Sequence, residues 1–152
     1  MVLIKTVSAT DKRVVQVIAA HIQHGDMHYP AESNHHLTPS EHEKNEVLLY
    51  AAFVDQECCG VAGLQHLDRS NAELKTMHVL QRFRGKGIGR TLVDRVIHAA
   101  QSGGYSTIWL ETGSRKASSE ARRLYERIGF SYCGPFGRYK EDPESVFMCL
   151  DV

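Results

Sequence analysis

Arg84-Gly85-Lys86-Gly87-Ile88-Gly89-Arg90 is the stretch on which the reading of this chain turns. Three glycines alternate with basic and apolar residues. Behind them apolar residues recur at Ile88, Leu92, Val93, Val96 and Ala100, the spacing of one helix face. Ahead lies Glu73-Leu74-Lys75-Thr76-Met77-His78-Val79, which reads as a strand. The unit is strand, glycine turn, helix. The first N–H groups of a helix have no partner within it, and the macrodipole adds partial positive charge at that end. Glycines let a phosphate approach the backbone, and Arg84, Lys86 and Arg90 supply full charges. A Walker loop needs four residues between its first glycine and Gly-Lys-Ser/Thr, a spacing absent here. The dinucleotide pattern Gly-x-Gly-x-x-Gly also fails, because its third glycine would fall on Arg90 or Leu92.

What the stretch resembles is the acetyl-CoA loop of the GNAT N-acetyltransferase superfamily. That family's motif, Arg/Gln-x-x-Gly-x-Gly/Ala, is matched by Arg84-Gly85-Lys86-Gly87-Ile88-Gly89. A second family segment, A-x-x-L-Y-x-x-x-G-F, is matched by Ala121-Arg122-Arg123-Leu124-Tyr125-Glu126-Arg127-Ile128-Gly129-Phe130. The two occur in the family's order, separated by a helix and a strand. The likeness covers residues 45–150 and is looser before them.

With 152 residues, the sequence predicts one domain, 1–152, with a sizeable core. Hydrophobic content of 42% and charged content of 24% are ordinary for a globular chain. Formal net charge is zero, so no general attraction to nucleic acid or to a membrane is expected. An aromatic–basic strand motif for nucleic acid is also missing. Cys58, Cys59, Cys133 and Cys149 show neither a zinc spacing nor a Cys-x-x-Cys, which suits reduced thiols in the cytoplasm. The longest apolar run, residues 47–54, is too short to span a bilayer.

Residues 2–7 read as an opening strand, followed by a helix capped by Ser8 or Thr10, running through Val14, Val17, Ile18 and Ile22 and stopping at Gly25. Periodicity then fades to residue 45, apart from a short helix over 40–44 with Pro39 in its first turn. Strands are expected at 47–54 and 59–66 around an Asp55-Gln56-Glu57 turn, and at 72–79. After the long helix, a strand at 107–112, a helix at 119–128 capped by Gly129, and short strands at 130–133 and 146–150 complete the order. This is an α/β (α+β) pattern. The resemblance implies a mixed, mostly antiparallel sheet of about six or seven strands with about four flanking helices. Strict alternation along 73–79 would put Glu73, Lys75, Met77 and Val79 on one face and Leu74, Thr76 and His78 on the other.

The resemblance implies direct attack of an amine on the thioester of acetyl-CoA. A lysine-like amine has a pKa near 10.4, so on the order of one molecule in a thousand is nucleophilic at pH 7. A base must take its proton, fixed donors must hold the oxyanion, and an acid assists the thiolate. Tyr125 stands at the motif tyrosine and is the expected acid; Glu73 is the first choice of base and His78 a competitor. The amides of Met77, His78 and Val79 would hold the pantetheine arm. Arg84 to Arg90, that is Arg84, Gly85, Lys86, Gly87, Ile88, Gly89 and Arg90, would cradle the pyrophosphate. The family's asparagine before the motif tyrosine is replaced by Ser118. In the loop 27–37, Glu32 would attract a cationic amine while Ser33, His35 and His36 would hydrogen-bond a carboxylate, and Tyr139 would help wall the acceptor pocket. The histidines at 21, 24, 28, 35, 36 and 42 lack partners at zinc spacings, so no metal is expected. The acceptor would be a small-molecule or peptide amine, with no nucleic-acid or membrane partner. A homodimer is a common arrangement among small members of the superfamily. A non-catalytic acyl-CoA sensor would share the same glycine turn.

Overall fold

The computed structural model describes residues 1–152. The chain runs β1 (Leu3–Val7), α1 (Lys12–His28), α2 (Pro39–Lys44), β2 (Leu48–Val54), β3 (Glu57–His66), β4 (Asn71–Val79), α3 (Ile88–Ser102), β5 (Thr107–Gly113), α4 (Ser119–Ile128), β6 (Ser131–Cys133) and β7 (Ser145–Asp151). The seven strands form one sheet in the order β1-β2-β3-β4-β5-β7-β6. Every pairing is antiparallel except β4 with β5, the two strands joined by the glycine turn and α3.

Both faces of the sheet are covered, which is why β2 and β3 read as unbroken apolar runs. Leu49, Ala51 and Phe53 of β2 pack with Val14, Val17 and Ile18 of α1. Tyr50 and Ala52 face the opposite way, into the larger core built with Leu92, Val93 and Val96 of α3. The hairpin between β2 and β3 turns on Asp55 and Gln56, both with positive φ (49° and 69°), the two-residue turn that matches strand twist. Strand β3 therefore starts two residues earlier than the sequence suggests.

Helix α1 differs from expectation at both ends. Its cap is Asp11, whose side chain accepts from the Arg13 amide, while Ser8 instead accepts from the Thr10 amide. It also passes through Gly25 to His28. The Tyr29 amide still reaches the Gly25 carbonyl, and the Asn34 side-chain amide donates to the carbonyls of Gly25, Tyr29 and Pro30. A tertiary partner thus satisfies the carbonyls that a glycine stop would have left to solvent.

Strict alternation also fails in β4. Val61 pairs with His78 and Gly63 with Lys75, so β4 carries one extra residue, and Thr76 takes φ 58°. Such a bulge shifts every later side chain to the other face. Glu73, Lys75 and His78 consequently share the α1 face, while Val79 turns into the α3 core. His42 of α2, 1% exposed, braces the bulge. Its Nδ1–H donates to the Thr38 carbonyl at 2.7 Å, so neutral Nε2 accepts the Thr76 hydroxyl at 2.7 Å. Burial lowers the His42 pKa and keeps that tautomer.

Candidate active site

Strands β4 and β5 pair only over three residues, Asn71–Glu73 against Thr107–Trp109. Beyond Glu73 they diverge, and the edge of β4 that faces β5 makes no further ladder bonds. A cleft of about 850 Å3 opens in the fork, lined by the end of β4, the glycine turn, the end of β5 and α4.

One end of the cleft is the glycine turn. Gly87 caps α3 with φ 80°, no side chain caps that terminus, and Gly85 takes φ 77°. Nothing in the protein stands within 4 Å of where a Cβ would project from either glycine, so their backbone faces open space. Arg84, Gly85, Gly87, Ile88, Gly89 and Arg90 all line the cleft, as do Met77, His78, Val79 and Ser118, whereas Lys86 does not. Two of the cations are partly engaged. Arg84 Nε donates to the Val79 carbonyl at 2.8 Å, and Arg90 Nε reaches Asp94 at 3.2 Å. Arg123 and Arg127 on α4 add further positive charge.

At the middle of the fork lies Tyr125, 5% exposed, its ring set edge-on to Phe130. Burial, with the nearby Glu111 charge, raises its phenol pKa, so it stays protonated. Glu73 is 5% exposed and its Oε2 accepts from the Tyr139 hydroxyl at 2.5 Å, with Lys75 Nζ at 3.5 Å. Lys75 Nζ also donates to the Tyr139 oxygen at 3.0 Å. Glu111 is the carboxylate that sequence reasoning missed. Trp109 pairs with Glu73, and Glu111, two residues further, points to the same face and lines the cleft. Burial pushes its pKa up to about 7, and the charges of Glu73 and Asp142 act in the same direction.

Histidines form one flank. His21 Nδ1 and His78 Nδ1 are 3.3 Å apart, and His24 packs on both His28 and His78. Burial lowers His21 to about 3 and His78 to about 4, so both are neutral at pH 7 and weakly basic. No three His, Cys, Asp or Glu side chains converge as a metal site needs.

The acceptor-side residues divide. His35, His36 and Tyr139 line the cleft, with His35 edge-on to Tyr139. Glu32 lies outside it, and Ser33 is buried with its hydroxyl donating to Asp142 at 2.6 Å. Ser118 is tied to Tyr29, the residue that ends α1, the two hydroxyls 2.7 Å apart. The Tyr29 oxygen also accepts from the Arg115 amide. A Cβ on Gly113 would overlap that Tyr29 hydroxyl. Gly113→Val should therefore displace Tyr29 and destabilise the fold by about 1–3 kcal/mol. Thermal melting reads this as roughly 2–4 °C per kcal/mol, and an unchanged Tm would show that the approach is not needed.

Residues 17–130 match the model of the Acetyltransferase (GNAT) family. Over 145 residues the chain is 35% identical to the uncharacterized N-acetyltransferase YsnE of Bacillus subtilis (strain 168), covering 95% of this chain and 96% of that one. It superposes on a solved structure from Klebsiella pneumoniae with a TM-score of 0.82, at 24% identity over 99% of this chain and 97% of the other. On a GNAT family acetyltransferase from Elizabethkingia anophelis with acetyl-CoA bound, the TM-score is 0.74 at 18% identity, over 99% and 98% of the two chains. The chain belongs to the GNAT acetyltransferase family.

Proposed function

We propose that this GNAT-family acetyltransferase moves the acetyl group of acetyl-CoA onto a primary amine of a small molecule or peptide by direct attack in a ternary complex. The observation that carries this reading is the fork itself: an uncapped helix terminus and open glycines at one end, an elevated carboxyl and a protonated phenol at its middle. The donor's anionic and extended parts fit the residues present. The amides of Gly85, Gly87, Ile88 and Gly89 would hold the pyrophosphate, and the free edge of Met77, His78 and Val79 would hold the pantetheine arm and polarise the carbonyl.

When bound, acetyl-CoA supplies the thioester that the amine attacks. Glu73 draws the acceptor's ammonium into the cleft, where it releases one proton to solvent and becomes the free amine, while the Glu73 carboxylate stays engaged with Tyr139 and Lys75. Glu111 takes the proton as the N–C bond forms, because a group titrating near 7 is matched to that task at neutral pH. Tyr125 gives its hydroxyl proton to the sulfur as the C–S bond breaks. Glu111 then returns the amine's proton to the phenolate, and the residues are reset with charge balanced.

Acetyl-CoA at a hundred times its dissociation constant should stabilise the fold by about 2.7 kcal/mol, visible as a Tm increase. In Gly87→Val, a β-branched residue forced to φ 80° also projects into the donor space, so the ligand-dependent increase should vanish. No response of the parent chain to acetyl-CoA or CoA would defeat the reading. Binding without CoA release across a panel of amines would make the chain an acyl-CoA sensor instead.

A further inference from the structure

A second cavity of about 870 Å3 lies on the far side of the Glu73–Tyr139 contact. Glu73, Tyr139 and His35 line both spaces, so that contact is a partition between them. The far cavity has an aromatic wall, with Trp109 and Phe136 at 5.5 Å and Phe136 and Tyr139 at 4.9 Å between ring centroids. Trp109 is fixed there by its Nε1–H, which donates to Asn71 at 2.8 Å.

Its charge is one-sided. Five carboxylates line it against two cations, Arg138 and Lys140, both on exposed residues. Hydrogen bonds hold Asp68 and Asp142 below the usual carboxylate range, so both remain ionised. Neither Glu32 nor Glu141 is in an ion pair. The donor half of the cleft is the reverse, with four arginines against Glu120. In a chain of zero net charge, this segregation is produced by the fold and not by composition.

We propose that the acceptor lies across the Glu73–Tyr139 partition, its reacting amine in the cleft and its body in the second cavity, and that this body carries a second positive charge, as in an aliphatic diamine or triamine. The proposal rests on the acetyl-transfer reading and adds the class of acceptor. An ammonium in the far cavity meets carboxylates on its rim and aromatic faces on its wall, and both attract it. An acceptor with a carboxylate in that place would set its anion among like charges.

The test compares n-pentylamine, 1,5-diaminopentane and 5-aminopentanoate, three primary amines of one chain length, by kcat/KM for CoA release. The diamine should exceed the monoamine by roughly tenfold, a difference of about 1.4 kcal/mol. The monoamine should in turn exceed the amino acid, and the diamine's lead should shrink as salt is raised. The double variant Glu32→Gln/Glu141→Gln should bring the diamine-to-monoamine ratio down toward one. Equal rates for diamine and monoamine, or a preference for the amino acid, overturn the proposal while leaving acetyl transfer intact. The absence of CoA release with any of the amines, although acetyl-CoA still raises the Tm, overturns the acetyl-transfer reading and this subsite with it.

Discussion

Glu111→Gln should lower kcat by roughly 10²–10³-fold, the usual contribution of a positioned base. In the parent chain, kcat/KM should rise with pH through about 7, because only ionised Glu111 accepts a proton. An amine acceptor also becomes more nucleophilic as pH rises, but that trend runs on toward pH 10 and persists in the variant. The step near 7 should be absent from Glu111→Gln alone. Stability separates this from simple damage. A carboxyl whose folded pKa lies above its unfolded value binds the extra proton in the folded state, so it costs stability as pH rises from about 4.5 to about 7. Removing it should raise stability above pH 7 by on the order of 1–3 kcal/mol. A variant that is slower yet melts higher at pH 8 fits a poised base. One that keeps its turnover, or keeps the step near 7, removes Glu111 from that role and returns it to Glu73.

The sequence carried the donor half because its physics is local. A glycine turn, an uncapped helix start and a motif tyrosine on the next helix are set by neighbours in the chain, and they stand where the spacing put them. Helix α4 with its Gly129 cap, and the order of elements along the chain, were legible for the same reason. What escaped was tertiary. Thr76 reads as an ordinary strand residue, yet its backbone is left-handed and its hydroxyl is held by His42, 34 positions away. Without that bulge the face of His78 is misassigned. Glu111 falls inside the strand expected at 107–112 and drew no reading of its own, because its elevated pKa comes from burial against distant parts of the chain. One signal was available: a lone acid directly behind the apolar run Ile108-Trp109-Leu110. Glu73 was found by its strand, but its partner Tyr139 lies 66 positions downstream.

Tyr125→Phe isolates the other proton of the reaction, and its expected cost is roughly 10²-fold in kcat near pH 7. The ring keeps its place against Phe130 and loses one oxygen that makes no structural hydrogen bond, so acetyl-CoA should still raise the Tm as in the parent chain. The size of the deficit should depend on pH in a particular direction. A thiol has a pKa near 8.5, so below that value the departing sulfur gains from a proton, and above it thiolate is a stable product. The parent-to-variant ratio in kcat should therefore narrow as pH passes about 8.5. Glu111 cannot produce that pattern, since its titration is complete by then. Burial holds the phenol protonated across the whole range, so the parent's own donor does not titrate away and confuse the comparison. A ratio that stays flat from pH 6 to 10 would mean that Tyr125 shapes the cleft without giving up its proton, and a ratio of one throughout would remove it from the reaction.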